Sequence, residues 1–492
     1  MITDGELTSP TERPKRRRQR RDSKPHFKRS VVDQCDIVMG CPELAVPRDH
    51  LARRVWRELA ALDLAEIEST YSSLGRHGYE PRRLLAVLIY GSLTKLHSST
   101  QLARATRTDM AMRWLSGGHA IAAPTIRRFR LQHGAFFARA LEQTVRLGVE
   151  RGLVDCRDIA IDAMRLRANA STGAVRSVRR SEQRLEELGQ VDTTQLSDAE
   201  RQVHEARVHK HTDALRECAE RGRTSIVTTN PDAALMKFPD GAGVPGHRLT
   251  VAASSTKHRF VIGVLVDAAT NDAGKLPAAI EETRRVLALA GVSNDQQLQI
   301  AADAGYWDEP TLSYASAHRA AVDVLVADKG EPHSKYFGRD RFVMHEDGSV
   351  TCPAGKKMLG PWPRLGGRTQ WVGRGCDSCS LKPQCTPGKG PRAFTAQLDL
   401  ERARDEMRER LVQPGARERY TRRMATIEPV FAMVEEHMGY RRALTRKSGA
   451  VVDEVMLKML AHNIGRLAAA RRLLLVFVEL AWDGPGRLTA EF

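Results

Sequence analysis

Apolar positions recur along this chain in two textures, and the change falls close to residue 153. Over 47–152 the period is helical: Leu51, Val55, Leu59 and Leu62 are spaced by three and four residues. Pro81 opens a second helix carrying Leu84, Leu85, Leu88 and Tyr90, as a first-turn proline should. Ser98 and Ser99 are placed to cap a third, and Pro124 with Thr125 starts a fourth that holds Arg127, Arg128 and Arg130. The last two helices read as a helix-turn-helix, its arginines at the start of a DNA-facing recognition helix. A solvated arginine face is the alternative.

Beyond Arg157 the pattern becomes that of strands. Asp158-Ile159-Ala160-Ile161-Asp162 is a short buried strand ending on a carboxylate. Residues 174–224 are rich in Arg and Glu and read as a polar helical hairpin inserted into a domain. Strands follow at 249–253 and 260–266, a helix at 275–290, a strand at 298–302 that runs into Asp303, and another at 322–326. Strands and helices alternating in this way describe a mixed α/β sheet. Residues 329–405 are rich in glycine, proline and cysteine and read as a second insertion. Helices close the chain over about 401–480.

Composition narrows the class. At 492 residues the chain is too long for one ordinary core, and 41% apolar residues are enough to build several. The most apolar stretch, 473–482, is short and holds Glu479, so no membrane span is expected. The charged N-terminus lacks the apolar core of a signal peptide, which predicts a cytoplasmic location. In that compartment the eight cysteines read as metal ligands or free thiols rather than disulfides. A net charge of +17 points to a polyanionic partner, nucleic acid above all. Residues 1–34 form a basic arm in which Arg13, Lys15, Arg16, Arg17, Arg18, Arg20 and Arg21 crowd around Pro14. Such an arm is expected to be disordered, either following a phosphate backbone or as a solvated tail.

Two groups of residues suggest chemistry. Asp162 and Asp303 each end a buried strand, where α/β folds gather functional groups, although single aspartates there are usually turn formers. Cys352, Cys376, Cys379 and Cys385 lie in one glycine-rich segment. The two-residue gap between Cys376 and Cys379 lets both sulfurs reach one tetrahedral zinc. Four thiolates would close that site and make it structural, a clip for a segment without its own core. Cys35, Cys41, Cys156 and Cys218 are scattered and read as small apolar groups. His462 and Asn463 fall among leucines and read as a locally bonded core pair.

Several segments resemble transposases of bacterial insertion sequences. They are Ile159-Ala160-Ile161-Asp162 with Arg167-Ala168-Asn169-Ala170-Ser171, Pro231-Asp232 with Leu235-Met236-Lys237, and Ala302-Asp303-Ala304-Gly305-Tyr306-Trp307. Ile427-Glu428-Pro429-Val430-Phe431 and Ala461-His462-Asn463 complete the set, in family order. The likeness is to DDE transposases of the branch with a tyrosine–arginine–glutamate–lysine signature. It implies an RNase H-like mixed-sheet catalytic domain over 153–492, with a helical insertion at 174–224 and a zinc-ribbon-like one at 329–405. An all-α DNA-binding domain at 35–152 precedes it. Carried over by residue, Asp162, Asp303 and Glu428 are the catalytic carboxylates, holding two Mg²⁺ or Mn²⁺ ions about 4 Å apart. Tyr420 and Arg423 match the signature tyrosine and arginine and would grip phosphates near the cut. Trp307 would stack on a displaced base or pack in the core.

Two positions depart from the family pattern. Glu435 stands where the signature lysine belongs, with Arg441 or Arg442 as substitutes, and Ala163 stands where glycine is common. Pro429 predicts a kink, or a helix that starts near Glu428. The implied activity is cleavage of element ends and strand transfer into target DNA, by a homodimer on double-stranded DNA. A catalytically impaired DNA-binding regulator, or a nuclease without strand transfer, are the alternatives.

Overall fold

The computed structural model describes residues 28–32 and 41–480, apart from 76, 256, 294, 331–334 and 346, with backbone only at 448 and 471–480. Most of the basic arm, with Cys35 and the last twelve residues, lies outside the described residues. The longer helices of the first part are α1 (Leu51–Leu59), α2 (Pro81–Leu93), α3 (Ser99–Thr108), α4 (Met110–Leu115), α5 (Ala123–Gln132) and α6 (Gly134–Glu150), with single helical turns at Pro42–Ala45 and Ala65–Glu68 among them. Ser98 caps α3 in a reciprocal box with Gln101, so two otherwise unpaired backbone N–H groups are satisfied. The expected direct turn from α3 to α5 is absent. Asp109 accepts from Met112 N–H and starts the extra helix α4 between them.

The central sheet follows. Its strands are β1 (Asp158–Arg167), β2 (Ala234–Lys237), β3 (Gly243–Ser254), β4 (Val261–Asp267), β5 (Leu298–Ala302) and β6 (Val322–Val326). Across the sheet the order is β4-β3-β1-β5-β6, and β2 pairs with the start of β3. β4, β3 and β1 run antiparallel, whereas β1, β5 and β6 run parallel. This mixed sheet is consistent with an RNase H-like transposase domain. Between β1 and β2 the chain leaves as the helical hairpin α7 (Val178–Gly189) and α8 (Asp198–Glu220), close to the polar insertion expected at 174–224. α9 (Leu276–Leu289) links β4 to β5, and α10 (Glu309–Ala317) links β5 to β6.

Between β6 and the last helices, the cysteine-rich segment holds a three-stranded sheet of β7 (Leu359–Arg364), β8 (Arg368–Val372) and β9 (Ala393–Ala396). Trp371, Phe394 and Phe342 give it a small core of its own. Three helices close the fold: α11 (Leu398–Val412), α12 (Ala416–Ala432) and α13 (Ser448–Leu480). Among the described residues no helix is long and apolar enough to cross a membrane.

One continuous apolar core joins the N-terminal helices to the sheet, from Val55 and Leu85 through Phe137 to Ile161, Val251 and Leu460. Asn463 of α13 does much of the joining. Fully buried, its side-chain amide takes Val261 N–H at 2.9 Å and donates to Val261 C=O at 2.8 Å and Thr144 Oγ1 at 3.0 Å. A side chain thereby pairs with the outer edge of β4, whose buried polar groups would otherwise be costly. His462 is buried beside it, its Nε2 2.9 Å from Arg259 C=O, and burial pulls its imidazole down to about 4. The core reading of this pair is what the structure shows.

Candidate active site

Helix α12 decides the geometry. Its sequence is polar, yet Ala416, Arg423, Thr426, Ile427 and Val430 are buried along one face. That face lies on the sheet and is fixed there by ion pairs to three strands. Arg419 reaches Asp323 of β6 at 2.7 Å and Arg422 reaches Asp158 of β1 at 3.3 Å. Arg423 takes two partners at once: Nη1 donates to Asp162 Oδ2 at 2.7 Å, and Nη2 to Asp303 Oδ1 at 3.1 Å. The strand does not end on Asp162 as expected but pairs on to Arg167, so Asp162 lies within β1; it and Asp303, which directly follows β5, are brought together around one buried guanidinium.

Of the two outcomes expected at Pro429, a helix that starts near Glu428 does not occur. A proline there leaves Ala425 C=O without its helical N–H partner. Arg259, from the β3–β4 turn, fills the gap with its Nε 2.9 Å away. The helix therefore starts at Ala416, runs through Pro429 and loosens only afterwards, into a π-helical turn at Met433–His437.

Asp162 faces its partner Val251 across the β1–β3 pair, and Ala163 N–H donates to Oδ1 at 2.7 Å. Burial pushes its carboxyl above the ordinary range, and Asp303 and Asp272 push the same way; Ala163 N–H and Arg423 oppose them. Asp303 follows β5 and caps a short 3₁₀ turn, accepting from Gly305 N–H. Tyr420 sits one turn before Arg423, whose guanidinium lies 5.6 Å from its ring; burial raises the phenol. Glu428 is exposed, and no hydrogen bond or ion pair among the described residues ties it to either aspartate. It lies on the side of α12 that also carries Phe431 and Glu435. Those two line a cavity of roughly 570 Å³ with Ala163, Met164 and Arg165 of β1.

Two groups there have no counterpart in the sequence reading. Asp272 lines the same cavity and is held by Arg248, Nη2 to Oδ1 at 2.7 Å. Arg248 is 3% exposed and also donates to the buried Tyr306 hydroxyl at 2.9 Å. A Cβ on Gly305 would lie 2.5 Å from Asp272 Oδ2, so the glycine two residues after Asp303 admits this carboxylate. That glycine was the available signal.

The remaining expected residues are placed as follows. Arg127 and Arg128 project from α5 as exposed side chains, while Arg130 donates to His97 C=O at 3.3 Å. Trp307 is half-buried and lines a groove of roughly 650 Å³ with Lys329, Arg408 and Phe342. Glu435 is half-buried, and burial raises its carboxyl. Arg441 turns to Glu436 in an exposed pair. Cys352, Cys376, Cys379 and Cys385 all border one narrow cavity of roughly 30 Å³. Among the described residues, though, no group of three or more His, Cys, Asp or Glu is drawn close enough to hold a metal ion.

The donor chemistry of the aspartate pair fits a divalent cation. Two carboxylates supply hard oxygens, and they already converge on a positive charge. Residues 351–468, which span the four cysteines, α12 and most of α13, match a family model described as a transposase DDE domain. Residues 42–132, which span α1 to α5, match a second model described as a transposase domain (DUF772). No curated protein and no solved structure matches the chain. Asp162 and Asp303 lie outside both matched segments, yet the fold sets them beneath Arg423, which lies inside the first. A helical transposase segment followed by a DDE segment, in a family that works on DNA with divalent metal, marks this chain as a DDE transposase of the insertion-sequence type.

Proposed function

We propose that the chain cuts DNA at the ends of its own element and joins the freed 3′-hydroxyl to target DNA. The carboxylates are Asp162, Asp303 and Glu428, and Tyr420, Arg423 and Glu428 support the branch with the tyrosine–arginine–glutamate–lysine signature, from which Glu435 departs at the lysine. The observation that carries this reading is the bridging of Asp162 and Asp303 by Arg423. Two aspartates from separate strands are costly to gather beside one another in a half-buried place unless a cation is meant to lie between them. Mg²⁺ or Mn²⁺ held there would activate the attacking oxygen and stabilise the leaving one. Glu428, one turn before Phe431 at the cavity wall, would complete the set. Arg423 balances the charge of the two carboxylates until a phosphate offers it another partner. Tyr420 then orients it from the neighbouring turn. Arg127 and Arg128 of α5 would contact the DNA flanks, and pairing two ends calls for a dimer.

The four thiols are proposed to close on one structural Zn²⁺. Their support is the shared cavity, together with Cys385, whose thiol is raised by burial and by the three other sulfurs against the pull of Arg392.

The test is direct. Purified chain, Mg²⁺ and duplexes bearing the inverted repeats that flank its gene should give nicked and joined products, and Asp162→Ala should give none. Binding without nicking or joining would remove the enzymatic reading. Cleavage that survives Asp162→Ala would remove the site.

A further inference from the structure

The β7–β8 hairpin is exposed along its outer strand and turn, from Pro361 to Arg368. Its turn is Leu365-Gly366-Gly367, with φ of +74° and +69° at the glycines, which close the loop without a Cβ penalty. Leu365 at the apex is 97% exposed, and Trp362 and Leu359 behind it are 44% and 46% exposed. The same stretch of chain carries Lys356, Lys357, Arg364, Arg368 and Arg374 and no acidic residue between Lys356 and Arg374, although Lys357 pairs with Asp347 at 3.4 Å. Arg364 and Arg368 are directly opposite in the strand register. Like charges facing one another across a strand pair destabilise it. Neither arginine has an acidic partner among the described residues; Arg364 leans on the neutral amide of Gln370 at 2.9 Å.

The base of the hairpin is the reverse of its tip. Trp371 is fully buried, tilted against Phe394, and its indole N–H donates to Gly348 C=O at 3.2 Å. β8 pairs with β9, and the turn itself is tied down where Gln397, the residue before α11, donates to Gly366 C=O at 3.3 Å. A firmly seated ribbon therefore presents an apolar point between two unneutralised cations.

We propose that this hairpin is a duplex-DNA finger, in which Arg364 and Arg368 take phosphates and Leu365 wedges into a base step. Apolar wedges flanked by cations are how proteins unstack and kink DNA from the minor groove. A second copy of the chain is the poorer occupant. A two-fold contact would set this basic patch against itself. The proposal rests on the transposase reading but needs none of its carboxylates.

The test uses the full chain and the same repeat duplexes with 2-aminopurine placed along them, read by fluorescence, with affinity measured across a salt series. Wild type and Asp162→Ala should both brighten the probe at one position. Leu365→Ala should abolish the brightening while affinity changes little. Arg364→Gln with Arg368→Gln should weaken binding on the order of ten-fold and lower the log–log salt slope by about two, one for each phosphate no longer neutralised. The tip is exposed, so thermal melts of these variants should fall no lower than wild type, and the double glutamine variant should match or slightly exceed it as the like-charge pair is removed. Unchanged brightening, affinity and slope in all variants would overturn the finger while leaving the transposase reading intact. Altered sedimentation with unaltered DNA binding would overturn it too, in favour of a contact between copies. Wild type that binds no duplex would overturn both.

Discussion

Arginines on α12 and arginines on the β7–β8 hairpin are the same residue in opposite situations. On α12, Arg419, Arg422 and Arg423 each end on an aspartate of the sheet, and the one that reaches two is 8% exposed. On the hairpin, Arg364 and Arg368 face each other in solvent with no acidic partner among the described residues. Net charge treats both sets alike. The first set is spent inside the fold, where it fixes a helix to three strands and holds carboxylates in place. The second is open to an outside anion from the start, whereas Arg423 would have to leave its carboxylates to take one. A basic sequence is therefore a poor map of where nucleic acid goes until internal pairing has been subtracted.

The strongest way to break this comparison is Asp162→Ala. Cleavage should fall on the order of 10⁴-fold or more, as for other groups that act as a unit, while affinity for repeat DNA stays within about two-fold. A gel assay of nicking beside a binding titration measures both, and equal losses would show that the α12 cluster grips DNA as the hairpin is proposed to do. Next comes Arg423→Gln. Losing the guanidinium between Asp162 and Asp303 should lower stability by about 2 kcal/mol, less than a fully buried pair because Asp303 is 45% exposed. Two uncompensated carboxylates should also make the melting temperature more responsive to Mg²⁺ or Mn²⁺ than in wild type. A smaller response than wild type would refute the counter-cation role.

A third cation sharpens the contrast, because it is buried with no acid in direct contact among the described residues, Glu454 acting on it only from further off. Lys458 Nζ lies 2.8 Å from Ser92 Oγ and 3.0 Å from His97 Nδ1, and burial pulls its ammonium from 10.5 down to about 7. The folded chain therefore sheds this proton before the unfolded chain does. Its cost to the fold is full below about pH 7 and is relieved as pH rises towards 10.5. Unfolding free energy should rise with pH above 7 by at most about 1.4 kcal/mol per unit. Lys458→Met should flatten that rise, and denaturant melts across the window would show it. His97, drawn down to about 4 mainly by burial, adds the same sense of change below its usual 6.5. The smallest effect belongs to Arg422→Gln. Its side chain is 56% exposed, so the loss of its pair with Asp158 should cost less than about 1 kcal/mol and leave cleavage near wild type.

What the sequence disclosed follows the reach of local pattern. Asp162 and Asp303 were visible because each ends a run of apolar residues that can only be a buried strand, and β1, β3, β4, β5 and β6 appear where those runs lie. The transposase family was legible from quoted segments in order. Arg423 was expected at a phosphate and is found between the aspartates, because nothing in a polar helix announces that its arginines point inward. Pro429 read as a kink or a helix start. The residue that rescues the helix, Arg259, is 166 positions from the carbonyl it fills, beyond any periodicity. Asp158 and Asp323 hold α12 in place and were passed over, although an acid opening an apolar strand was a signal to pursue. The helix-turn-helix reading overlooked α4, a six-residue helix too short to show a period.

The amide of Asn463, clasping both the edge of β4 and Thr144 of α6, makes the N-terminal helices and the sheet one body. If α5 seats on a terminal repeat and the aspartates cut, this single residue helps set a ruler between them. The cut would then fall a constant number of base pairs from the recognised sequence. Lengthening a surface loop would leave that distance untouched, whereas loosening the clasp would scatter the break points.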